Sequence, residues 1–339
     1  MGYRFRARPL QRQERKGLRI APRGTLDNII CMRSLLLLFL GTSSLVAQSP
    51  GVPVYREGRG HGTVAGLLKQ AETLKNTGKL LSMPTAETQF NRTSCELNLP
   101  PASTTPLSSR ERWNRARLAH IRVGHFYLCT KCEKWHLDLS GGYAITTDGA
   151  VATCAHVLSK PTDMREGYLL AATDDDQVLP IAEVLAMSSG TDCAIIRVKS
   201  EAPLKPLPLG EDVIPGDTIW CFSDPSGKRG YYSEGIVSRF VKRSFLRKKE
   251  TEDLPEGINI PRPIWLETTV EWAPGSSGSA LIDANGNSVG HVSEIQTVLE
   301  DLPATATKKR ARSFSPGTYI VFHQAITAGE ILKIVRQRR

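Results

Sequence analysis

The most chemically suggestive stretch of this 339-residue chain is Glu271-Trp-Ala-Pro-Gly-Ser-Ser-Gly-Ser-Ala-Leu-Ile282. Its Gly-x-Ser-Gly core, entered and left through apolar residues, suits a nucleophile on a sharp turn between strands, and Ser277 is the candidate. A serine hydroxyl is a poor nucleophile at its own pKa, so it needs a base, an acid to orient that base and donors for the developing oxyanion. His156, at the end of Gly142-Tyr-Ala-Ile-Thr-Thr-Asp-Gly-Ala-Val-Ala-Thr-Cys-Ala-His-Val157, is the candidate base. Asp192, entering the apolar run Cys193-Ala-Ile-Ile-Arg-Val198, is the candidate orienting acid. Backbone N–H groups of Gly275 and Ser277 would meet the oxyanion, glycine supplying the backbone freedom that such a turn requires. Each motif alone is common; together they keep one order, His, Asp, Ser, with intervals of 36 and 85 residues. His61, His120, His125, His136, His291 and His323 have no comparable context as bases.

These side chains must be held by strands. Residues 142–157 read as strand, Asp-Gly hairpin turn and a second strand ending at the histidine. Many short apolar runs punctuated by Gly, Pro and Asp favour an all-β class. At the three triad contexts the chain resembles the trypsin-like serine peptidases, and in particular their high-temperature-requirement (Deg-type) branch. The resemblance extends to Gly216-Asp-Thr-Ile-Trp-Cys-Phe-Ser-Asp-Pro-Ser-Gly227 and Ser233-Glu-Gly-Ile-Val-Ser238, similar to that branch's strand, Asn-Pro-type loop and Ser-Gly-Ile-Val strand. From Ser108 onward the chain resembles the short helix and first strand that open the Deg-type domain, and the likeness runs over roughly residues 109–335. It implies two antiparallel six-stranded β-barrels, at about 109–205 and 206–335, with the site in the cleft between them. Tyr319 to Val335 resembles the last strand and closing helix.

By that resemblance the expected activity is peptide-bond hydrolysis in polypeptides by a serine endopeptidase, through an acyl-enzyme and without a cofactor. Glu271, six residues before Ser277, takes the position that in trypsin-like enzymes forms the base of the primary pocket. Gly290, His291 and Val292, running to Ser293, would supply one wall. A carboxylate at the base would favour Lys or Arg at the cleaved position; the competing reading turns Glu271 to solvent. Two features depart from the family pattern. Ser279 replaces a second glycine after Ser-Gly, and only 62 residues follow Ser277, so no PDZ domain is expected there. The alternative function is a catalytically inactive protease-fold module that captures extended peptide by strand addition.

The formal net charge of +10 is concentrated at the start of the chain: residues 1–33 hold nine Lys or Arg against Glu14 and Asp27. The remainder is close to neutral, which argues against a nucleic-acid footprint. Met32 to Gln48 carries a short apolar core followed by small residues, as in a secretory signal peptide. Residues 1–48 are therefore expected to be a basic leader and signal peptide of an exported (periplasmic or extracellular) protein, with translation starting at Met1 or Met32. The apolar run is shorter than the roughly 20 residues that a membrane-spanning helix needs, and the alternative is a membrane anchor through 34–47. Residues 49–108 are expected to be a spacer or pro-segment with one helix, His61 to about Leu81, in which Val64, Leu67, Leu68, Ala71 and Leu74 share a face. Asn91-Arg-Thr93 matches a glycosylation acceptor, a pattern common by chance.

The seven cysteines divide by context. Cys154 and Cys193 sit inside apolar strand patterns, where cysteine acts as a small hydrophobe. Cys129-Thr-Lys-Cys132, followed by Trp135 and His136, offers three zinc ligands, with Cys95 as a distant fourth. A local disulfide or two structural thiols at a hairpin is the competing assignment.

Overall fold

The computed structural model describes residues 61–245, 260–299 and 317–337, so the basic leader and signal segment expected at 1–48 lie outside the described residues. Helix α1 (His61–Asn76), strand β1 (Leu81–Ser82), helix α2 (Met83–Glu87), strand β2 (Cys95–Leu97) and helix α3 (Ser109–Ala119) lead into the first β-layer. That layer comprises β3 (Ile121–Cys129), β4 (Trp135–Ser140), β5 (Tyr143–Ala144), β6 (Ala150–Thr153), β7 (Met164–Thr173), β8 (Val178–Ser188) and β9 (Cys193–Val198). The second comprises β10 (Thr218–Ser223), β11 (Tyr231–Lys242), β12 (Ile264–Thr268), β13 (Ala280–Ile282), β14 (Ser288–Leu299) and β15 (Thr318–Thr327). Helix α4 (Ala328–Ile334) and strand β16 (Val335–Gln337) end the described chain.

The all-β expectation holds, with a difference between the halves. The second sheet is a closed barrel in the order β10-β11-β12-β15-β14-β13, each strand antiparallel to its neighbours. The first runs β4-β3-β7-β8-β9-β6-β5 and curls until β5 meets the residue leading into β3 at a single bridge, His120 to Tyr143, beside the Ile121 N–H to Gly142 C=O bond of 3.0 Å. A full ladder closes one barrel and a two-residue contact the other. The β5–β6 hairpin turns at Gly149, whose φ of +99° and contact with the Val198 carbonyl exclude a side chain.

The strands that carry the candidate base and acid are continuous apolar runs because both their faces are buried. Val151 on β6 and Ala194 and Ile196 on β9 point into the first core, while Ala150, Ala152 and Ile195 face a second cluster. That cluster also contains Trp220, Ile282, Trp265 and Ile331, so alternate residues of each strand serve the first half and the seam with the second. Burying one of the larger side chains, Val151, Ile195 or Ile196, contributes about 1.5–3 kcal/mol, which helps to hold β6 and β9 at the seam.

Residues before α3 are part of this packing. Leu67 and Ala71 on α1 are buried against Phe126, Leu170 and Val178, and Gln70 bonds both the Asp176 carbonyl (2.9 Å) and the Val178 N–H (3.0 Å). The helix lies within the expected span and ends at Asn76, short of Leu81, where Gly78 takes a φ of +68°. Strand β1 pairs with β7, and β2 pairs in parallel with β16, tying both ends of the described chain together. Helix α3 starts at a capping box: Ser108 accepts the Glu111 N–H and the Glu111 carboxylate accepts the Ser108 N–H. No described helix is long and apolar enough to cross a membrane.

Candidate active site

His156 opens a short 3-10 turn just beyond β6, three residues past the end of the strand that the sequence pattern ran up to it. Asp192 occupies the tight turn before β9 with a φ of +51°, a left-handed conformation that aspartate tolerates better than most residues. The two meet: His156 Nδ1 lies 3.0 and 2.9 Å from the two Asp192 carboxylate oxygens, and the His156 backbone N–H donates to the same group at 3.0 Å. The Ser293 hydroxyl supplies a further donor at 2.6 Å. Asp192 is buried, whereas the imidazole side chain is 49% exposed, so one ring edge is anchored and the other faces an open cleft. His156, Ser159, Ser189, Asp192, Phe245 and Glu294 line that cleft.

The electrostatics follow from these contacts. Burial raises the Asp192 pKa, but the His156 and Ser293 hydrogen bonds and the imidazole charge outweigh it and hold the carboxyl below its usual range. Desolvation lowers the His156 pKa, and Asp192, with help from Glu294, more than reverses this, so the imidazole is more basic than usual. The Nδ1 edge donates to the carboxylate, which leaves Nε2 as the acceptor in the neutral ring.

The turn carrying Ser277 docks onto the same structure. The Gly141 N–H donates to the Ser277 carbonyl at 2.8 Å across the seam, and the Gly278 N–H donates to the Val292 carbonyl at 2.8 Å, one residue before the serine that holds Asp192. Gly275 and Gly278 have φ of +97° and +84°, and a Cβ at Gly278 would strike the Gly141 carbonyl and the Thr153 hydroxyl. Ser276 is buried, with its hydroxyl bonded to Ser223 at 3.1 Å, and Ser279 is buried against Gly141; Ser277 is the partly exposed serine of the three. The N–H groups of Ser276, Gly278 and Ser279 are all paired, while those of Gly275 and Ser277 have no acceptor among the described residues. No hydrogen bond joins the Ser277 hydroxyl to His156 among the described residues, a common state of such sites without substrate.

Behind this turn is a second His–Asp pair that the sequence pattern left unmarked. Asp224, at the end of β10, accepts the Gly230 N–H at 2.7 Å and lies 3.6 Å from His120 Nε2. Burial acts to raise its pKa, but His120, the Gly230 N–H and Arg122 overcome this and bring it to about 2. Its loop supports the Gly275 turn, since Ser226 N–H donates to the Pro274 carbonyl at 2.7 Å and the Asp224 carbonyl would lie 3.0 Å from a Cβ at Gly275.

The residues expected to line a specificity pocket are distributed differently. Gly290, His291 and Val292 are buried in β14; His291 Nε2 donates to the Asp192 backbone carbonyl at 3.1 Å, and Val292 receives bonds from Gly278 and the Cys154 thiol. They act beneath the candidate triad, and Ser293, expected in a pocket wall, holds the carboxylate. Glu271 is exposed, and beside it Trp272 reaches the Glu294 carbonyl through its indole N–H at 3.4 Å. Cys154 and Cys193 are fully buried and desolvation pushes their pKa values up, so they remain protonated. Cys129, Cys132 and His136 come together at the β3–β4 hairpin, whereas Cys95 lies on β2 beside Val335.

Two barrels meeting at a His–Asp pair and a glycine-rich serine turn define the trypsin-like fold. Residues 140–290 match the trypsin-like peptidase domain family. The chain is 28% identical over 162 residues to a probable periplasmic serine endoprotease DegP-like of Halomonas elongata, covering 47% of this chain and 30% of that protein. It is 24% identical over 205 residues to the putative serine protease HhoB of Synechocystis, covering 58% and 46%. It is 28% identical over 151 residues to the mitochondrial serine protease HTRA2 of Bos taurus, covering 44% and 30%. The chain carries a trypsin-like peptidase domain and is homologous to DegP/HtrA-type serine proteases at modest identity. These matches span less than half the length of those relatives.

Proposed function

We propose that this protein is a serine endopeptidase in which Ser277, His156 and Asp192 act as nucleophile, base and orienting acid. The observation that carries the reading is the complementary pair of amides: on a five-residue turn the N–H groups of Gly275 and Ser277 alone lack acceptors, and they flank the partly exposed hydroxyl. In this mechanism His156 Nε2 takes the Ser277 proton as Oγ attacks a peptide carbonyl, and Asp192 holds the ring tautomer and stabilises the imidazolium. The two amides meet the oxyanion, each donor contributing about 3 kcal/mol. His156 then passes its proton to the leaving amine, and water resolves the acyl-enzyme by the reverse path. The residues doing this need no metal or organic cofactor. Polypeptide is the substrate class, and export follows from the leader together with a relative named as periplasmic; other relatives are named mitochondrial or chloroplastic.

A serine-directed fluorophosphonate tests the reading directly. The parent should label at Ser277 and hydrolyse a denatured protein; Ser277→Ala should do neither, while Ser276→Ala keeps labelling. Parent protein that neither labels nor cleaves would leave the binding-module alternative. Peptide-library profiling decides the role of Glu271: loss of a Lys/Arg preference in Glu271→Gln supports a pocket-base role, and an unchanged profile assigns the carboxylate to solvent, where its exposure already inclines it.

A further inference from the structure

The tip of the β3–β4 hairpin holds two thiols and an imidazole remote in function from the candidate triad. Cys129 Sγ, Cys132 Sγ and a His136 ring nitrogen all lie within 4.8 Å of one another, and Cys132 Sγ is 2.9 Å from His136 Nε2. Three backbone features build this cluster. The Cys129 N–H bonds the Lys134 carbonyl at 3.0 Å and the Glu133 N–H returns to the Cys129 carbonyl at 3.1 Å, with Glu133 in the left-handed region at φ +54°. The Lys131 N–H points at Cys129 Sγ at 3.4 Å. Antiparallel pairing of Tyr127 with His136 then sets the imidazole on the neighbouring strand, its ring 5.5 Å from that of Tyr127.

We infer that Cys129, Cys132 and His136 form a binding site for a zinc-class divalent ion at this hairpin, with the fourth coordination position open to water. Two sulfurs and one imidazole suit a borderline-soft, tetrahedral ion and disfavour magnesium or calcium. The Lys131 N–H aimed at Cys129 Sγ suits a sulfur that carries charge, and both cysteines are unbridged, which favours a thiolate ligand over a Cys129–Cys132 bridge. Thiolate and imidazole ligands at about 2.3 and 2.1 Å from a shared metal stand about 3.6 Å apart in tetrahedral geometry. Cys132 Sγ and His136 Nε2, 2.9 Å apart, therefore open by about 0.7 Å on loading, a small movement for the exposed Cys132. Zinc binds deprotonated sulfur and neutral imidazole, so protons carried by these ligands are released on loading and binding weakens as pH falls.

The knuckle also touches the chain that leaves the candidate base. The Thr130 N–H donates to the Asp163 carbonyl at 2.8 Å and Lys131 Nζ pairs with the Asp163 carboxylate at 2.8 Å, seven residues after His156. A bound ion would stiffen the hairpin against which segment 159–163 packs, a structural role separate from the acyl-transfer chemistry.

The test is cobalt(II) and zinc titration of the reduced full-length protein, with Ser277→Ala as a control whose cleft chemistry is gone. One equivalent of cobalt should bind with a thiolate-to-metal charge-transfer band, be displaced by zinc, and bind Ser277→Ala equally well. Cys132→Ser and His136→Ala, both at the surface, should each weaken binding at least tenfold while leaving thermal unfolding of the metal-free protein unchanged. Absence of the charge-transfer band, affinity unaltered in both variants, or a Cys129–Cys132 disulfide in freshly isolated protein would each overturn the assignment.

Discussion

Among the described residues two buried aspartates face histidines, and the contrast between them separates the proposed reactive pair from a support. Asp192 contacts His156 at 2.9 Å with a ring edge left open to a cleft, whereas Asp224 stands 3.6 Å from His120, whose ring is buried and has no hydrogen-bond partner on either nitrogen. Distance and exposure distinguish them, and residue type does not. In the proposed mechanism the first pair moves a proton to an approaching substrate. The second holds the loop whose backbone underlies Gly275, so its proposed influence on the oxyanion is exerted through the chain.

The largest effect that would sharpen this contrast is on turnover. His156→Ala should lower kcat by about 10⁶-fold and Asp192→Asn by about 10⁴-fold, since the triad acts as a unit and the amide strands the imidazole in the wrong tautomer. His120→Ala should cost far less, within about tenfold, by loosening the Gly275 turn. Comparable losses in His120→Ala and His156→Ala, measured with both proteins folded by circular dichroism, would erase the distinction.

Stability against acid comes next. His291 is buried and desolvation takes its pKa down to about 4, with Asp192 opposing. A histidine whose folded value lies below its unfolded value of about 6.5 contributes stability that is complete above 6.5 and fades as pH falls toward 4, up to about 3 kcal/mol across that window. His156 has the opposite sign, its raised value favouring the fold below 6.5, so the two partly offset. His291→Gln should flatten the parent's loss of urea stability between pH 6.5 and 4; an unchanged slope would place that proton uptake elsewhere.

Asp224→Ala should destabilise by about 1–3 kcal/mol at neutral pH, because it leaves the Gly230 N–H without its acceptor and removes the carboxylate that faces His120. With a folded pKa of about 2, the carboxylate's contribution is present above its unfolded value of about 3.9 and disappears as pH drops from there toward 2. The smallest effect is a shift in the pH profile of kcat/KM. Activity should rise with pH through a midpoint above the ordinary imidazole value of about 6.5, and Glu294→Gln should move that midpoint down, since Glu294 adds to the field on His156. A midpoint below 6.5 in the parent would contradict the geometry around Asp192.

How much was legible in the sequence varies with how local each cause is. The β-rich class, the Asp-Gly hairpin at Gly149 and the α1 face are set by neighbours within a few residues, so composition and spacing reveal them. Ser277, His156 and Asp192 stand in local contexts distinctive enough to be singled out, and the Cys129–Cys132–His136 spacing likewise marks the hairpin cluster. Tertiary structure alone decided that Ser293 and not solvent faces the Asp192 carboxylate, that His291 lies under it, and that Asp224 and His120 back the Gly275 turn. Those contacts join residues about 100 positions apart, and a hydroxyl or imidazole carries no local pattern announcing which distant carboxylate it will meet. The same holds for the two barrels: the family resemblance implies both, but whether a ladder or a single bridge closes each depends on how far the sheet coils, a property of the assembled strands.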